Sequence, residues 1–449
     1  MDIPEKVWPG EKIGLWKNVY EGQPPWAYVR RSGLYGRGER RMNMLNCAKV
    51  LCDSLSSLTF SNQADIILSD EKMTERVLQV FDENGFWENF PQFLSRAYAL
   101  GGGALRVYIN SGKVCIDYVS ADAFVPLGTD RGRVTRGEFY SSFADGKREY
   151  LLTEHHSMEM RGDESVAVIE RELRERKGTG YIPADIGLCG LSERDEIVSD
   201  SPMFAYFRPI LPDPCGESLC GISVLENCMD TIKALDTVFD SFVREFILGR
   251  KRIIVPSSCI RTVVDPDTGK IRRYFDTDDE VYQALKCDEE DDLKIIDNTT
   301  QLRVEEHTKS INTLLDILCF QTGLSAGTLS FSSGGIKTAQ EIRSMETRTQ
   351  MTMQQNRAMA AELIEQCVGA VLTCLALMGE NADPSAGVRI SFIDTQTHDQ
   401  SEIISQNISL YKAGLRSGVS AIMSILDCSR SEAAEEMERI ERERERSIK

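Results

Sequence analysis

The clearest alternation of apolar and polar positions in the chain runs from Gly221 to Gly249 and predicts one long amphipathic helix. Its apolar residues recur at steps of three and four, the period of one helix face. They are Ile222, Leu225, Met229, Ile232, Leu235, Phe239, Phe242 and Phe246. Ser223 and Glu226 fit a capping box, and Gly249 stands where a C′ glycine would end the helix. At 1.5 Å per residue, this element is a rigid rod about 40 Å long.

A β-rich insert separates this helix from a second one, predicted from about His307 to Thr322. Within the insert, VVDPDTGKIRRYF predicts a hairpin and DDEVYQAL a helix, and LKIID and LRVEE at its end predict strands. The acidic run Asp288–Asp292 has two interpretations, a solvated loop or a site for cations or a basic partner. Helix, small β-rich head and returning helix together predict a stalk with a tip.

The segment after the second helix, Gly323–Thr338, reads GLSAGTLSFSSGGIKT and consists mostly of small residues. It leads into a long predicted helix, Ala339–Met378. Connections between neighbouring helices usually have two to eight residues, so a longer one predicts a functional loop or a disordered linker. Further along, VRISFID predicts a strand, and helices are predicted at Gln400–Lys412, Val419–Leu426 and the C-terminus.

The N-terminal half predicts a domain of helices and antiparallel strands. Helices are expected at Met42–Leu58, Asp70–Asn84 and Phe86–Leu100, the last with Pro91 tolerable only in its first turn. The triplet Gly101–Gly103 suggests a phosphate-binding loop, but a hairpin pattern follows it and no Lys-Ser/Thr does, so it is interpreted as a helix stop and turn. Strand-like runs Gly137–Phe143 and Glu149–Met158 precede the charged segment Glu164–Lys177 and an irregular region up to Pro214.

The first forty residues predict an irregular arm that combines arginines with aromatic residues. These are Arg30, Arg31, Arg37, Arg40 and Arg41 with Trp26, Tyr28 and Tyr35. Such a combination contacts nucleic acid or docks on an acidic neighbouring subunit. The net charge of -18 at pH 7 favours the second interpretation, because like charges oppose DNA binding by counterion release.

Candidate chemistry in the sequence is sparse. The 13 cysteines are odd in number and scattered over apolar helix faces, which indicates small buried hydrophobes in a reducing compartment. Cys215 and Cys220 have metal-like spacing but no second pair nearby. His155 and His156 point to opposite faces of one strand and are interpreted as surface or half-buried residues. We therefore expect no catalytic residues, no metal site and no cofactor.

Membrane insertion and secretion are not expected either. The N-terminus lacks a basic region followed by an apolar core, and no window approaches the eighteen uncharged apolar residues of a membrane span. We expect a protein that is made and assembled in the cytoplasm.

Several long segments together resemble the tailed-bacteriophage portal proteins of the SPP1-like family, from about Met42 to the end of the chain. They are AKVLCDSLSSLTFSNQADI, WENFPQFLSRAYALGGGALRVYI, DYVSADAFVPL, DTIKALDTVFDSFVREF, RYFDTDDEVYQAL, LRVEEHTKSINTLLDILCFQTGLSAGTLSF and LYKAGLRSGVSAI. The N-terminal arm and residues 161–202 match least clearly. The resemblance implies an α+β portal fold with a mixed α/β wing, a helical stem, a β-rich clip and a helical crown.

This resemblance implies a division of the chain into the parts of a portal subunit. These are an arm and wing (1–220), a first stem helix (221–249), the clip (250–305), a second stem helix (306–323), a tunnel loop (324–338), a long wing helix and strand (339–398) and the crown (399–449). It also implies a ring, typically of twelve subunits, at one capsid vertex of the virion, assembled in the host bacterium, as for a phage or prophage. Double-stranded DNA would pass through it, and scaffolding and major capsid proteins, the terminase large subunit and a head–tail adaptor would dock on it.

The resemblance further implies three sets of site residues. DNA would meet the tunnel loop at Thr328, Ser330, Phe331, Ser332, Ser333, Gly334, Gly335 and Lys337. Terminase or adaptor would meet the clip at Asp265, Asp267, Lys270, Arg272, Arg273, Tyr274 and Asp278. Stem packing would use Ile232, Leu235, Phe239, Phe242 and Phe246.

Two alternatives from other classes stay open. A nucleotide-using packaging enzyme would need a phosphate loop, and no GxxxxGK[ST] occurs in the sequence. A minor head or adaptor protein that only binds a portal would not need the order helix, insert, helix. Within the portal interpretation the protein is not an enzyme, because ATP hydrolysis belongs to the terminase.

Overall fold

A computed structural model describes most of the chain as a mixed α+β protein. The described residues are 10–33, 36–60, 64–162, 164–210, 219–249, 253–254, 261–264, 271–274, 296–297, 301–331, 339–392, 400–414 and single short stretches beyond 416. The chain divides into two compact units. One comprises Met1–Phe60 and Ile66–Ile390, and the other comprises Ser61–Asp65 and Ser391–Lys449.

The N-terminal arm is regular, contrary to the expectation from its sequence. Helix α1 (Gly10–Tyr20) is followed by the antiparallel hairpin β1 (Tyr28–Gly33) and β2 (Gly36–Arg41). Ile13, Trp16 and Val19 recur every three residues and are buried. This short stripe, in a segment rich in Gly and Pro, was too weak to predict the helix that it anchors.

Three helices follow, α2 (Cys47–Thr59), α3 (Glu71–Glu83) and α4 (Phe86–Leu100). The bounds of α3 and α4 were predicted almost to the residue, and Asp70 caps α3 by accepting a hydrogen bond from the Lys72 main-chain N–H. Helix α2 begins later than predicted, after Asn46 in a left-handed conformation. Pro91 lies inside α4, beyond its first turn, so the prediction that limited it to the first turn was wrong.

The glycine triplet forms a turn, as predicted, and leads into the hairpin β4 (Gly103–Asn110) and β5 (Lys113–Ser120). With β12 (Phe204–Phe207) these strands form a three-stranded sheet in the order β12-β4-β5. Gly101 has a φ of 84°, and a Cβ there would lie 2.6 Å from the carbonyl oxygen of Gly221. A side chain at Gly101 would therefore push the chain away from the segment that precedes the long helix.

A larger sheet has the strand order β10-β9-β8-β7-β6, with β11 also paired to β9. Its strands are β6 (Phe124–Asp130), β7 (Arg133–Asp145), β8 (Arg148–Arg161), β9 (Glu164–Lys177), β10 (Gly180–Ala184) and β11 (Arg194–Val198). The charged segment Glu164–Lys177 and part of the supposedly irregular region are thus strands. The alternating charges of β9 pair across strands, for example Glu170 with Arg194 at 2.5 Å.

The long amphipathic helix is α5 (Met229–Leu248), preceded by a short 3-10 turn. It starts later than predicted and, at 20 residues, is about 30 Å long. The capping box was wrong, since the Ser223 hydroxyl donates to the Ala99 carbonyl at 2.5 Å and the Glu226 carboxylate binds α1 side chains. Gly249 does follow the last helical residue, although its φ of -76° is not left-handed.

The remaining elements of the insert and beyond follow in order. They are β13 (Ile253–Ile254), β14 (Arg261–Val264), β15 (Ile271–Tyr274), β16 (Ile296–Asp297), α6 (Val304–Gln321), α7 (Ala339–Leu377), β17 (Arg389–Phe392) and α8 (Gln400–Lys412). Strand β17 pairs with β3 (Ala64–Ile67). LRVEE was wrongly predicted as a strand, because Val304 already opens α6.

Helix α7 supplies a large part of the core around the three-stranded sheet. Its C-terminal stretch, Thr347–Leu377, is long and apolar enough to cross a membrane by length and composition, so the sequence-based statement that no window comes near this was wrong. Of the most apolar window, 61% is buried inside the protein. Ile364, Val368 and Leu372 are fully buried, which is the behaviour of a core helix.

Candidate channel and docking elements

Helices α5 and α6 form an antiparallel pair. Near one end, the Thr231 hydroxyl of α5 donates to the Gln321 side chain of α6 at 2.8 Å. Near the other end, the Glu245 carboxylate of α5 meets His307 of α6 at 2.6 Å. The insert therefore leaves and re-enters the helix pair at one end, as the predicted stalk with a tip requires.

The predicted stem-packing residues divide along α5 by exposure. Ile232 and Leu235 are buried within the chain. Phe239 and Phe242 are half-buried, and Phe246 is 44% exposed. Apolar cover on α5 thus decreases toward the insert, and the three phenylalanines keep surface available for a neighbour.

Two buried carboxylates on α5 hold the N-terminal arm against this helix. Asp236 accepts hydrogen bonds from the Trp26 indole at 3.0 Å and the Leu45 main-chain N–H at 3.1 Å. Burial raises the pKa of Asp236, and the indole and main-chain donors oppose that shift. One turn later, Asp240 accepts a bidentate pair of bonds from Arg40 at 2.6 and 2.5 Å.

Asp240 is the more strongly bound of the two carboxylates. It also accepts hydrogen bonds from the Asn43 main-chain N–H and side-chain amide, both at 3.0 Å. The guanidinium of Arg40 and these donors lower the pKa of Asp240 to about 2. Arg40 therefore docks on its own chain, and the interpretation of the arm as a contact to a neighbouring subunit or to nucleic acid was wrong for this residue.

Sequence reasoning missed this arm contact, although a signal was present. Asp236 and Asp240 are spaced by one helical turn and flank the apolar stripe of α5, where carboxylates are buried only if they find donors. The arginine and tryptophan of the arm are such donors. An acidic pair beside an apolar stripe could have been matched to a basic, aromatic arm elsewhere in the chain.

A third carboxylate of α5, Glu245, joins the two chain segments at the base of the insert, here called the neck. It accepts hydrogen bonds from the Arg303 main-chain N–H at 2.9 Å and from the Arg303 guanidinium at 3.2 and 3.1 Å. His307 contacts the same carboxylate, and its ring lies 5.5 Å from that of Phe242. These partners, Arg303 foremost, lower the pKa of Glu245 to about 2. No local pattern in the sequence predicts this cluster, because its members lie about sixty residues apart.

The first part of the predicted tunnel loop is fastened to the helices on both sides. The Ser325 main-chain N–H donates to the Thr349 hydroxyl at 2.9 Å, and the Thr349 N–H returns a bond to the Ser325 hydroxyl at 3.3 Å. The Gly327 N–H donates to Asp316 of α6 at 2.8 Å. The loop therefore starts from a fixed point between α6 and α7.

Of the residues predicted to meet DNA, three are described and exposed. The Thr328 hydroxyl donates to the Ser325 carbonyl at 2.7 Å, Ser330 is exposed, and Phe331 is 67% exposed. The others, Ser332, Ser333, Gly334, Gly335 and Lys337, lie outside the described residues. An exposed cation near the start of the loop was not predicted: the Arg348 guanidinium lies 4.5 Å from the ring centroid of Phe320.

The predicted clip residues are described only in part. Strands β14 and β15 pair as the predicted hairpin, with Arg272 opposite Val263, Arg273 opposite Thr262 and Tyr274 opposite Arg261. The remaining predicted contacts, Asp265, Asp267, Lys270 and Asp278, lie outside the described residues, as do the helix candidate DDEVYQAL and the acidic run.

The larger sheet contains a buried ionic cluster next to an uncharged histidine. Glu154 accepts hydrogen bonds from Arg106 and Arg171, and Arg171 also binds Asp195 at 2.5 Å. His156 is 3% exposed, so it is not the surface or half-buried residue that was expected. Burial, and next Arg106 and Arg171, lower the pKa of His156 to about 3. This histidine is neutral at physiological pH.

Metal-binding and nucleophilic groups are not assembled in the part of the chain that the structure describes. No group of three or more His, Cys, Asp or Glu side chains among these residues could hold a metal ion. The nine described cysteines are free. Burial raises the pKa of both Cys47 and Cys228 to about 12, which makes these thiols poor nucleophiles.

An antiparallel helix pair that carries an insert at one end and a loop at the other, on a mixed α/β body, is consistent with a phage portal subunit. A family model described as "Phage portal protein, SPP1 Gp6-like" matches residues 36–449. The chain therefore belongs to this family of phage portal proteins, a structural rather than enzymatic family associated with the capsid vertex and genome packaging. A comparison with curated proteins finds no significant match.

Proposed function

We propose that this protein is the subunit of a ring, of about twelve copies as is typical of the family, at one vertex of a phage capsid. Double-stranded DNA passes through the ring when the terminase packages it and again when it is ejected. The observation that carries this proposal is the family match over nearly the whole chain. In this assignment α5 and α6 are the stem, the insert is the clip, the segment after α6 is the tunnel loop, and the C-terminal helices are the crown.

The charge of the chain suits a channel through which DNA slides. A lining that neutralised many phosphates would hold DNA tightly, because each neutralised phosphate adds to affinity through counterion release. Each chain carries a net charge of -18, and twelve copies would carry about -216. A mostly repulsive wall with a few cationic contacts, such as Lys337, would let DNA pass.

The assembly partners follow from the same assignment. The clip would face the terminase large subunit during packaging and the head–tail adaptor afterwards, and the body of the ring would meet scaffolding and major capsid proteins. The ring would be assembled in the host bacterial cytoplasm and carried in the virion. The exposed side chains of Thr328, Ser330 and Phe331 support the loop as the segment nearest to DNA.

Electron microscopy of the purified full-length chain tests the ring directly. We expect annular particles with a central hole, while particles of defined stoichiometry without a hole would overturn the proposal. Because a portal chain can be monomeric before assembly, the test is made on particles from co-expression with the capsid and scaffolding proteins as well.

Phe246→Ser separates subunit packing from folding. Because this side chain is 44% exposed within one chain, its loss should leave the thermal unfolding of the isolated chain nearly unchanged while reducing ring yield several-fold. Leu235→Ala is the matched control, since its fully buried side chain should cost about 2–5 kcal/mol of folding stability. Normal ring yield from the Phe246 variant would remove Phe246 from the subunit interface.

Lys337→Glu tests the loop. We expect fewer packaged or retained genomes per head with normal rings, because a repulsive charge replaces the loop's cation. Lys147→Glu, in the exposed β7–β8 turn, makes the same charge change away from the loop. Equal DNA content in both variants and the wild type would contradict the assignment of the loop.

A further inference from the structure

The carboxylate of Glu245 is bound more fully than a surface ion pair requires. It accepts four hydrogen bonds, three from the main chain and guanidinium of Arg303 and one from the imidazole of His307. Its side chain is only 16% exposed. A negative charge in the last turns of a helix interacts unfavourably with the helix dipole, so Glu245 does not stabilise α5 through that dipole. Its partners all come from the other end of the insert.

The cluster lies where the chain enters and leaves the insert. Glu245 stands shortly before the end of α5, and Arg303 is the residue immediately before α6. A little farther along both segments, β13 pairs with β16, with Ile253 opposite Asp297. The Glu245 carboxylate and the short strand pair therefore join the same two chain segments, one contact after the other.

Apolar contacts support the geometry of the cluster. The ring of Phe242, one turn before Glu245, packs edge-on against Phe246 at 5.1 Å and lies 5.5 Å from the His307 ring. Leu302 lies close to Gly249 on the opposite segment, with 3.0 Å between its Cδ2 and the position that a Cβ of Gly249 would take. The imidazole and the end of α5 are thus held in register before the insert begins.

We propose that Glu245 is a positioning residue that locks the base of the insert to the α5–α6 pair. A contact that joins chain segments far apart in sequence removes freedom from everything between them. With both segments fixed at the neck, the direction of the insert follows the helix pair, and a partner that pushes or pulls on the insert acts on α5 and α6. This last step rests on the proposed function, in which the insert is the docking region; the lock itself does not.

Hydrogen–deuterium exchange on the full-length protein tests the lock without any partner. Glu245→Gln keeps the shape of the side chain but replaces one acceptor oxygen by a donor that faces the donors of Arg303. We expect the amides of Arg303 and of β13 and β16 to exchange about tenfold faster, because the neck opens more often, while the middle of α5 keeps its protection. Glu305→Gln, an exposed carboxylate in the first turn of α6, is the matched control and should exchange like the wild type.

A second variant distinguishes local opening of the neck from general unfolding. Arg303→Ala keeps the main-chain N–H bond to Glu245 and removes only the guanidinium, so its effect on β13 and β16 should be intermediate. Combining it with Glu245→Gln should add little to the single Glu245 change, because both act on one cluster. Wild-type exchange of β13 and β16 in Glu245→Gln, or additive effects in the double variant, would overturn the lock.

A separate measurement, the amount of packaged DNA, tests the consequence for docking. In particles made with Glu245→Gln we expect normal rings and a several-fold loss of packaged DNA, and normal packaging with an opened neck would refute the link between the lock and docking. Absence of rings from the wild-type chain would instead refute the proposed function and leave the exchange result to decide the lock.

Discussion

Removing Arg40 tests whether the N-terminal arm is fastened to α5 by a buried charge pair. The Asp240 carboxylate is 8% exposed and accepts two bonds from Arg40 and two from Asn43. Arg40→Ala leaves this charge buried with only the Asn43 donors. Breaking a buried pair on one side costs about 3–5 kcal/mol, and we expect the lower end because half of the donors remain.

The pKa of Asp240 gives an independent magnitude. A shift from the ordinary 3.8 to about 2 corresponds to about 2 kcal/mol of stabilisation of the charged carboxylate. Because the folded-state pKa is the lower one, this contribution is fully present above the unfolded pKa and is lost as pH falls through about 2. The wild type and Arg40→Ala should therefore differ most near neutral pH and converge in strong acid.

Trp26 provides the assay, since its indole donates to Asp236 one turn away from Asp240. Urea titrations followed by tryptophan fluorescence, together with limited proteolysis of the arm, should show the arm detaching at lower urea in Arg40→Ala. Arg30→Ala is the matched control in the same hairpin, where a 93% exposed guanidinium lies 3.8 Å from Glu39 and contributes less than about 1 kcal/mol. Equal midpoints for the two variants would refute the reasoning.

Two further predictions concern the body of the protein. His156 is neutral when folded and takes up a proton when unfolded between its ordinary pKa of 6.5 and about 3, so stability should fall by roughly 4–5 kcal/mol across that window as pH decreases. His156→Phe should flatten this part of the pH dependence of the urea midpoint, and an unchanged slope would contradict it. Gly101→Ala should destabilise by more than Gly112→Ala, because both have positive φ but only Gly101 faces main chain at 2.6 Å; equal melting temperatures would show that the close approach is tolerated.

Local signals in the sequence were sufficient to place the helices that have a capping residue next to their ends. Helix α3 has Asp70 at its N-cap, and α4 ends at Gly101, so both were placed almost to the residue. The start of α5 was misplaced because Ser223 resembled a cap in sequence, whereas in the fold its hydroxyl serves the end of α4. Distant contacts of this kind have no local sequence signature.

The charged strand β9 shows a second limit. Its first half contains the buried apolar run Val166–Ile169, but its second half, from Glu170, consists mostly of Glu and Arg with Leu173 as the buried residue. Cross-strand partners such as Arg194 stabilise that charged half only once the sheet exists. The family resemblance indicated the portal architecture. It did not predict which residues hold the arm, the helix pair and the insert together.

The contacts that hold the arm and the insert to α5 have the same physical basis. Asp236, Asp240 and Glu245 succeed one another along α5, and each accepts hydrogen bonds from a segment that is remote in sequence. A buried carboxylate is costly unless its donors are in place, so the contacts of Asp236 and Asp240 are nearly all-or-none. Apolar packing alone would let the arm and the insert slide on α5, because it has no fixed direction. The polar positions of the long helix, more than its apolar stripe, therefore determine how the parts of this subunit are held in register.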